Sequence, residues 1–185
     1  YQAFWKGADG YLYLFGGSGY AETADHLSLL NDVWRYNLSN GQWTWLAGGK
    51  LLDEMGVYGD MGVAADGNTP GCRYSAQTWV GPDGLLYLYG GYGFDGHGNQ
   101  GAMSDLWRFD PAARRWTWIG GSDRRNEVGN HGTARVADAA NTPGCRLQAS
   151  TWIGADGLFY LYGGYSLAEG DVNYMLYSDM WRYNP

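Results

Sequence analysis

The string "SDLWRFDPAARRWTW" spans Ser104–Trp118 and has two near copies in the same chain. "NDVWRYNLSNGQWTW" covers residues 31–45, and "SDMWRYNP" covers residues 178–185. Each copy places an acid, a tryptophan, an arginine and another aromatic residue before a polar turn. Two short runs rich in aromatic residues around a tight turn predict a pair of β-strands. The chain therefore repeats a β-hairpin.

Two other markers share the spacing of this string. The tryptophans of the three copies, Trp34, Trp107 and Trp181, lie 73 and 74 residues apart. "NTPGCR" occurs at residues 68–73 and 141–146, which is a spacing of 73. The double glycines are 74 and 73 residues apart, at Gly16, Gly17, Gly90, Gly91, Gly163 and Gly164. Agreement among three markers indicates an internal repeat of one structural unit.

The composition excludes several classes of protein. The 185 residues include 31 Gly, 10 Trp and 16 Tyr, and so many large aromatic residues are not expected in a disordered chain. The net charge of −7 argues against nucleic-acid binding, which depends on clustered Lys and Arg. No stretch is apolar for long enough to insert directly into a membrane. Two cysteines, Cys72 and Cys145, form neither a disulfide scaffold nor a metal cluster. We expect free buried thiols, with a disulfide between units or to another chain as alternatives.

Each unit reads as four strands. The second unit has "RYSAQTWV" (73–80), "LLYLYGG" (85–91), "DLWRFD" (105–110) and "RWTWIGG" (115–121). An Asp-Gly turn separates the first two, which is a hairpin signal. No segment has a sustained helical period, so an all-β fold is expected.

A hydrophobic run that ends in Gly-Gly, followed by an aromatic residue and, after six intervening residues, a tryptophan, resembles the kelch repeat. The pairs are Tyr36 with Trp43 and Phe109 with Trp116, and Tyr183 begins a third. This resemblance implies a β-propeller of four-stranded antiparallel blades. About three blades are expected, the last incomplete, with closure by further chain or by oligomerisation. The expected segments are blade 1–46, inter-blade loop 47–71, blade 72–119, inter-blade loop 120–144 and incomplete blade 145–185.

The repeated glycines and charges are expected to be structural. Gly-Gly at the end of a strand lets another segment approach the backbone closely. An acid and an arginine that recur once per blade are expected to form buried or half-buried ion pairs and backbone hydrogen bonds between blades. These residues are Asp32, Arg35, Asp105, Arg108, Asp179 and Arg182 on the third strands, and Arg73 and Arg146 at the start of the first strands.

Function is expected where the repeats differ, in the long connections between the second and third strands. These are residues 18–30, 92–103 and 165–177, and all lie on one face of the propeller. Loops on a rigid scaffold are the usual place for binding residues. The candidate contacts are Tyr20, His26, Tyr92, Phe94, His97, Tyr165, Tyr174 and Tyr177. The alternative is that these rings only pack the loops down. "DGHGN" (95–99) loosely resembles part of a calcium loop, although a polar glycine-rich loop is the better interpretation.

The sequence thus predicts a non-enzymatic scaffold that binds a protein or a glycan. No catalytic residue, metal site or cofactor is expected. In its low lysine content and its acidity, the chain resembles secreted or surface kelch-repeat proteins of microbes. An extracellular or cell-surface location is therefore expected. A structural subunit of an extracellular assembly is the alternative, and a propeller of an enzyme similar to galactose oxidase is a third hypothesis. Closure would come from the rest of a longer chain or, alternatively, from other copies of this one.

Overall fold

The computed structural model describes residues 1–22, 25–167 and 174–185. In these residues every regular element is a β-strand, which confirms the predicted all-β class. None of them forms a helix with the length and apolar character needed to span a membrane.

The first blade is a four-stranded antiparallel sheet whose strands follow one another in order. Its strands are β1 (Ala3–Lys6), β2 (Leu12–Gly19), β3 (Ser28–Asn37) and β4 (Gln42–Ala47). The β2–β3 ladder shifts register between Phe15 and Gly17 and then continues until Gly19 pairs with Ser28. The hairpin therefore projects beyond the rest of the blade.

The second and third blades repeat this arrangement. The second consists of β6 (Gln77–Val80), β7 (Leu86–Tyr89), β10 (Leu106–Asp110) and β11 (Arg115–Gly120). The third has three strands within the described residues: β12 (Ser150–Ile153), β13 (Phe159–Tyr162) and β16 (Met180–Tyr183).

The connections expected to be long loops form small hairpins instead. In the second unit, β8 (Tyr92–Phe94) pairs with β9 (Gln100–Ala102) and also with β5 (Arg73–Tyr74). In the third unit, β14 (Tyr165–Leu167) pairs with β15 (Tyr174–Leu176). Residues 23–24 and 168–173 of the predicted loops lie outside the described residues.

The predicted first strand, residues 73–80, is divided in two. Ser75 has φ 56°, and its counterpart Gln148 has φ 52°, both in the left-handed region. A residue in that region cannot continue an extended strand. Arg73 and Tyr74 therefore join the small hairpin, while Gln77–Val80 joins the blade.

Neighbouring blades are joined through their innermost strands. Thr78 Oγ1 donates to the Phe4 carbonyl at 3.0 Å, and Thr151 Oγ1 donates to the Thr78 carbonyl at 3.1 Å. In the opposite direction, the Trp5 indole donates to the Tyr87 carbonyl at 3.0 Å. The same bond recurs one blade further on, from Trp79 to the Tyr160 carbonyl at 3.1 Å.

Aromatic rings fill the space between blades. Phe15 of the first blade meets Trp116 of the second edge to face, with 5.2 Å between ring centroids. Phe159 of the third blade stacks on Trp79 at 5.3 Å. A buried aromatic ring removes about 150–250 Å² from water, so these layers supply much of the hydrophobic stabilisation.

The double glycines allow the close approach that the sequence predicts. Gly16 has φ 59°, and a Cβ there would lie 2.8 Å from the Arg73 carbonyl of the next blade. A Cβ on Gly90 would lie 2.7 Å from the Arg146 carbonyl, again across the blade boundary. Any side chain would therefore push two blades apart.

The inter-blade segments are anchored to the blades. Ala65 forms a β-bridge to Trp116, so the first segment runs along the outer edge of the second blade. Asp53, at φ 60°, accepts a hydrogen bond from the Leu29 amide through its carboxylate. Its counterpart Asn126, at φ 61°, accepts one from the Ala102 amide. These two side chains hold each segment against the projecting hairpin of the preceding unit.

Candidate functional site

Two arrangements of side chains recur at the ends of the blades. The first is an ion pair around Asp105. Arg73 donates to both carboxylate oxygens of Asp105, at 2.6 and 2.8 Å, and to the Gly90 carbonyl at 3.0 Å. The Trp107 indole and the Tyr58 hydroxyl also donate to this carboxylate, at 2.6 and 2.7 Å. Both charged side chains are 0% exposed. We call this arrangement the arginine cradle of the second unit.

The third unit has the same cradle around Asp179. Arg146 donates to its two oxygens at 2.7 and 2.9 Å and to the Gly163 carbonyl at 3.0 Å. The Trp181 indole donates at 2.6 Å. His131 replaces the tyrosine of the second unit and lies 3.1 Å from the carboxylate through Nε2.

The charges of the cradles stabilise one another. Burial lowers the pKa of Arg73, but the Asp105 carboxylate outweighs burial, and the pKa is raised. Burial raises the pKa of Asp179, but hydrogen bonds from Arg146 and Trp181 outweigh burial and hold the pKa well below its usual range. Both groups therefore stay ionised across the physiological pH range.

The arginines of the third strands are not the partners of these acids. Arg35 lies with its guanidinium 4.5 Å from the centre of the Tyr11 ring. Arg108 lies near Tyr87, whose hydroxyl donates to Asp83 at 2.9 Å and whose pKa is raised to about 12, chiefly by burial. Ion pairs of these acids exist, but each joins the acid of a third strand to the arginine that precedes the first strand of the same unit, whereas pairs between blades were expected.

The second arrangement is a group of tyrosines on the face of the propeller that carries the projecting hairpins. The Tyr74 and Tyr92 rings lie 5.6 Å apart, and the Tyr165 and Tyr174 rings lie 5.1 Å apart, edge to face. Tyr74, Tyr92 and Tyr165 pack together against buried Ala102, Cys145 and Leu147. We call Tyr1, Tyr74, Tyr92, Tyr165 and Tyr174 the tyrosine cluster.

The phenols of this group lie close enough to affect one another's pKa. Burial raises the pKa of Tyr74, and the phenols of Tyr165, Tyr92 and Tyr174 raise it further. Burial likewise raises the pKa of Tyr165, with further contributions from Tyr174 and Tyr1. The phenols of Tyr74 and Tyr165 therefore remain neutral at physiological pH and offer hydroxyl donors beside apolar rings.

Backbone hydrogen bonds hold the cluster in place. The Ser75 amide donates to the Tyr1 carbonyl at 2.9 Å, and the Leu147 amide donates to the Tyr165 carbonyl at 2.7 Å. Tyr1, Tyr74 and Leu147 occupy the same repeat position, since they are 73 residues apart. All three units therefore contribute backbone to this surface. Tyr1 and Tyr174 are 84% and 63% exposed, whereas the other three rings are half-buried.

The predicted contact residues separate into two groups. Tyr92, Tyr165 and Tyr174 come together in the cluster. Tyr177 instead lies under the Arg146 guanidinium, 4.1 Å from it, and so supports the third cradle. The remaining four lie apart from the ring contacts of the cluster within the described residues: Tyr20, His26, Phe94 and His97.

The "DGHGN" segment is a turn built around Asp95. The Asp95 carboxylate is buried and accepts hydrogen bonds from the amides of His97 and Asn99, both at 2.8 Å. These amide bonds oppose the effect of burial and lower the pKa of Asp95. The carboxylate oxygens are occupied by donors, as in a turn. No group of three or more potential metal ligands occurs among the residues that the structure describes.

Two members of the cluster were absent from the sequence prediction. Tyr1 and Tyr74 lie in what reads as the first strand of a blade, and nothing in the pattern marks the break at Ser75. The available signal is the alignment of the units, in which Tyr1 and Tyr74 match Leu147.

The thiols of Cys72 and Cys145 are both free and buried. Sγ of Cys72 accepts a hydrogen bond from the Glu54 amide at 3.1 Å. Burial raises the pKa of each thiol to about 12, so neither is a nucleophile at neutral pH.

Comparison with known proteins agrees with the repeat pattern. Two family profiles described as Kelch motif match residues 8–47 and 73–123. The sequence has no match among curated proteins. A solved structure titled "Structure of YjhT" is similar to this chain with a TM-score of 0.49 and 19% sequence identity. The similarity covers 85% of this chain and 32% of that one, so this chain spans about a third of its length. The chain belongs to the kelch-repeat family, and its three sheets are blades of a partial β-propeller.

Proposed function

We propose that this kelch propeller module is a non-enzymatic binding protein, and that the tyrosine cluster is its contact surface for a protein or glycan partner. The observation that carries this proposal is the convergence of five tyrosines from different repeat units on one face. Three of these rings come from projecting hairpins, which are the parts that differ between units.

Tyrosine is well suited to such a surface. Its ring offers a large apolar contact area with few rotatable bonds, and its hydroxyl offers a directional hydrogen bond. Aromatic residues are enriched at protein interfaces relative to the remaining surface. The half-buried rings of Tyr74, Tyr92 and Tyr165 would give a rigid floor, and the exposed rings of Tyr1 and Tyr174 would close over a bound group.

An extracellular or cell-surface setting is part of this proposal. The net charge of −7 and the presence of only two lysines support it, because such a surface disfavours nucleic acid and nonspecific anion binding.

The test uses a matched pair of tyrosines. Tyr174 and Tyr20 are each 63% exposed, but only Tyr174 belongs to the cluster. The chain is applied to a glycan array and to a displayed peptide library, and the best ligand from each is titrated by calorimetry. We expect Tyr174→Ala to weaken binding by about tenfold or more, as for a central interface residue, and Tyr20→Ala to leave it unchanged.

The two screens distinguish the partner classes. Selective binders on the glycan array alone would indicate a glycan, and binders in the peptide library alone would indicate a protein. An equal loss of binding affinity in Tyr174→Ala and Tyr20→Ala would contradict the assignment of binding to the tyrosine cluster. The absence of any binder in both screens would contradict a binding function.

A second candidate is a structural subunit of an extracellular assembly. Large rings are exposed on the outward faces of the first and third blades: Trp43 at 51%, Trp45 at 41% and Trp152 at 42%. Apolar patches of this kind often mark contacts with other molecules. Light scattering on the purified chain tests this idea: a discrete multimer would support it, and a soluble monomer would count against it.

A further inference from the structure

A cavity of about 340 Å³ lies between the first blade and the inter-blade segment that runs along the second. Its walls are residues 46–49 at the end of β4, parts of residues 54–69, and Arg114 of the turn between β10 and β11. Small-molecule sites in proteins usually measure about 300–1,000 Å³. This cavity therefore has room for a ligand of the size of a single sugar.

The Glu54 carboxylate in the wall of this cavity lacks a partner. Its Oε2 atom is buried and accepts no hydrogen bond. In the described part of the chain, no cationic side chain forms a salt bridge with Glu54. Removing a carboxylate from water without supplying donors is costly. A ligand that brought a charged donor into the cavity would remove that cost.

The backbone fixes Glu54 in the cavity wall. Its amide donates to Cys72 Sγ at 3.1 Å, and its carbonyl accepts a hydrogen bond from the Cys72 amide at 2.9 Å. The final torsion of a glutamate side chain has a broad energy minimum, so the carboxylate can rotate while the backbone stays in place. Either oxygen can therefore turn towards a bound donor.

Two buried amide side chains line the same cavity. Asn31 is 2% exposed, and its oxygen accepts a hydrogen bond from the Gly49 amide at 2.9 Å. Asn68 is 6% exposed, and its NH₂ group donates to the Val63 carbonyl at 2.9 Å. These bonds leave the NH₂ group of Asn31 as a donor and the side-chain oxygen of Asn68 as an acceptor. The two amides suit the hydroxyl groups of a ligand, which both donate and accept.

The charges of the lining favour a cation. Two carboxylates, Glu54 and Asp66, face a single guanidinium, that of Arg114. Asp66 is already bonded to Arg115 Nε at 2.5 Å. Glu54 is therefore the acid that remains for a ligand.

The first unit differs from the second at this place. The counterparts of Asn31, Gly49 and Asp66, each 73 residues later, have shorter or different side chains: Ser104, Ser122 and Ala139. A Cβ on Gly49 would overlap Glu54 Oε2. The serine of the second unit is thus incompatible with the position that the Glu54 carboxylate takes in the first.

We propose that this cavity binds a small hydroxylated amine of the amino-sugar class, with its ammonium group on Glu54. An ammonium group is a compact charge with three donors, which suits a single carboxylate in a confined space. The amides of Asn31 and Asn68 hydrogen-bond the hydroxyl groups. This site is separate from the tyrosine cluster and does not depend on its function.

The test compares glucosamine with glucose by isothermal titration calorimetry on the 185-residue chain. The two sugars differ only in an ammonium group in place of one hydroxyl. We expect glucosamine to bind with a Kd on the order of 1 mM and glucose to show no binding at the same concentrations. N-acetyllysine methylamide, which has the ammonium group without the hydroxyls, should bind at least fivefold more weakly than glucosamine.

Matched variants locate the binding. Glu54→Gln removes the charge at nearly constant shape and should weaken glucosamine binding at least tenfold. Glu127→Gln makes the same change at the counterpart in the second unit and should leave binding intact. Gly49→Ser introduces the residue that the second unit carries and should also weaken binding, because it displaces the Glu54 carboxylate. Circular dichroism checks that each variant is folded.

Tyr174→Ala should not change glucosamine binding, so failure of this site and failure of the tyrosine cluster can be told apart. Three results would overturn the proposal: no binding of glucosamine, equal binding of glucose, or equal losses in Glu54→Gln and Glu127→Gln. Binding of the lysine probe as tight as that of glucosamine would overturn the assignment to an amino sugar.

Discussion

The first two blades carry nearly the same sequence in very different surroundings. In the second blade Trp107 and Trp116 are 0% and 1% exposed, whereas Trp34 and Trp43 of the first blade are 36% and 51% exposed. The strands, the turns and the φ angles of the glycines are alike in the two blades. The difference comes from the neighbour, because the first blade packs against the second and covers its tryptophans.

The comparison separates what a repeat encodes from what its position adds. The repeat encodes a sheet, the acid of a cradle and a row of aromatic rings. Position decides whether those rings are core or surface. Each unit therefore depends on its neighbours for a large part of its stability, as in other repeat proteins.

The largest expected effect comes from breaking a filled cradle. Arg73→Met should lower the free energy of unfolding by about 3–5 kcal/mol, because it leaves the buried Asp105 carboxylate without its counter-ion. Arg35→Met removes an arginine from the third strand of the first blade, where it contacts the Tyr11 ring and no acid of a cradle, and should cost less than about 1 kcal/mol. Urea denaturation of both variants checks this difference. Equal losses would mean that the ion pair adds nothing beyond the loss of an arginine side chain.

A smaller effect is expected from the paired tryptophans. Trp116→Phe opens a cavity beside Phe15 and should cost about 2 kcal/mol, whereas Trp43→Phe should cost less than about 0.5 kcal/mol. Thermal and urea unfolding of the two variants measure the contrast. A large loss in Trp43→Phe would show that the first blade is covered in solution, for example by another copy of the chain.

The smallest effect concerns acid stability in the third unit. Because the pKa of Asp179 is lower in the folded chain than in the unfolded chain, its stabilisation is present above about pH 4 and is lost as the pH falls further. Asp179→Asn should therefore lower the melting temperature by about 2–4 °C at pH 7, with a smaller difference at pH 2.5. Melting curves from pH 2.5 to pH 7 test this expectation. A difference that does not change with pH would rule out the charge of Asp179 as its cause.

Much of the fold could be predicted because each repeated signal has a local cause. Alternating aromatic residues and Asp-Gly turns specify strands and hairpins, and Gly-Gly specifies a close approach of two backbones. Long connections such as residues 92–103 were misread as loops, since their glycine-rich composition hides the pairing of Tyr92 with Ala102.

The site was predicted only in part, for a different reason. The break at Ser75 depends on packing between units, and it turns Tyr74 away from the blade towards Tyr92. The pairing of Asp105 with Arg73 rather than Arg108 also depends on contacts between residues distant in sequence. No periodicity in the sequence reports either feature.

The threonine bonds at the innermost strands also bear on aggregation. A strand at the border of a sheet exposes unpaired backbone groups that can recruit another chain. The Thr78 hydroxyl occupies the carbonyl of Phe4, and the Thr151 hydroxyl occupies that of Thr78. The innermost strands of the second and third blades thus each use one threonine side chain to occupy a backbone acceptor of the preceding blade. Three sheets can then lie border to border around an axis without fusing into one continuous sheet.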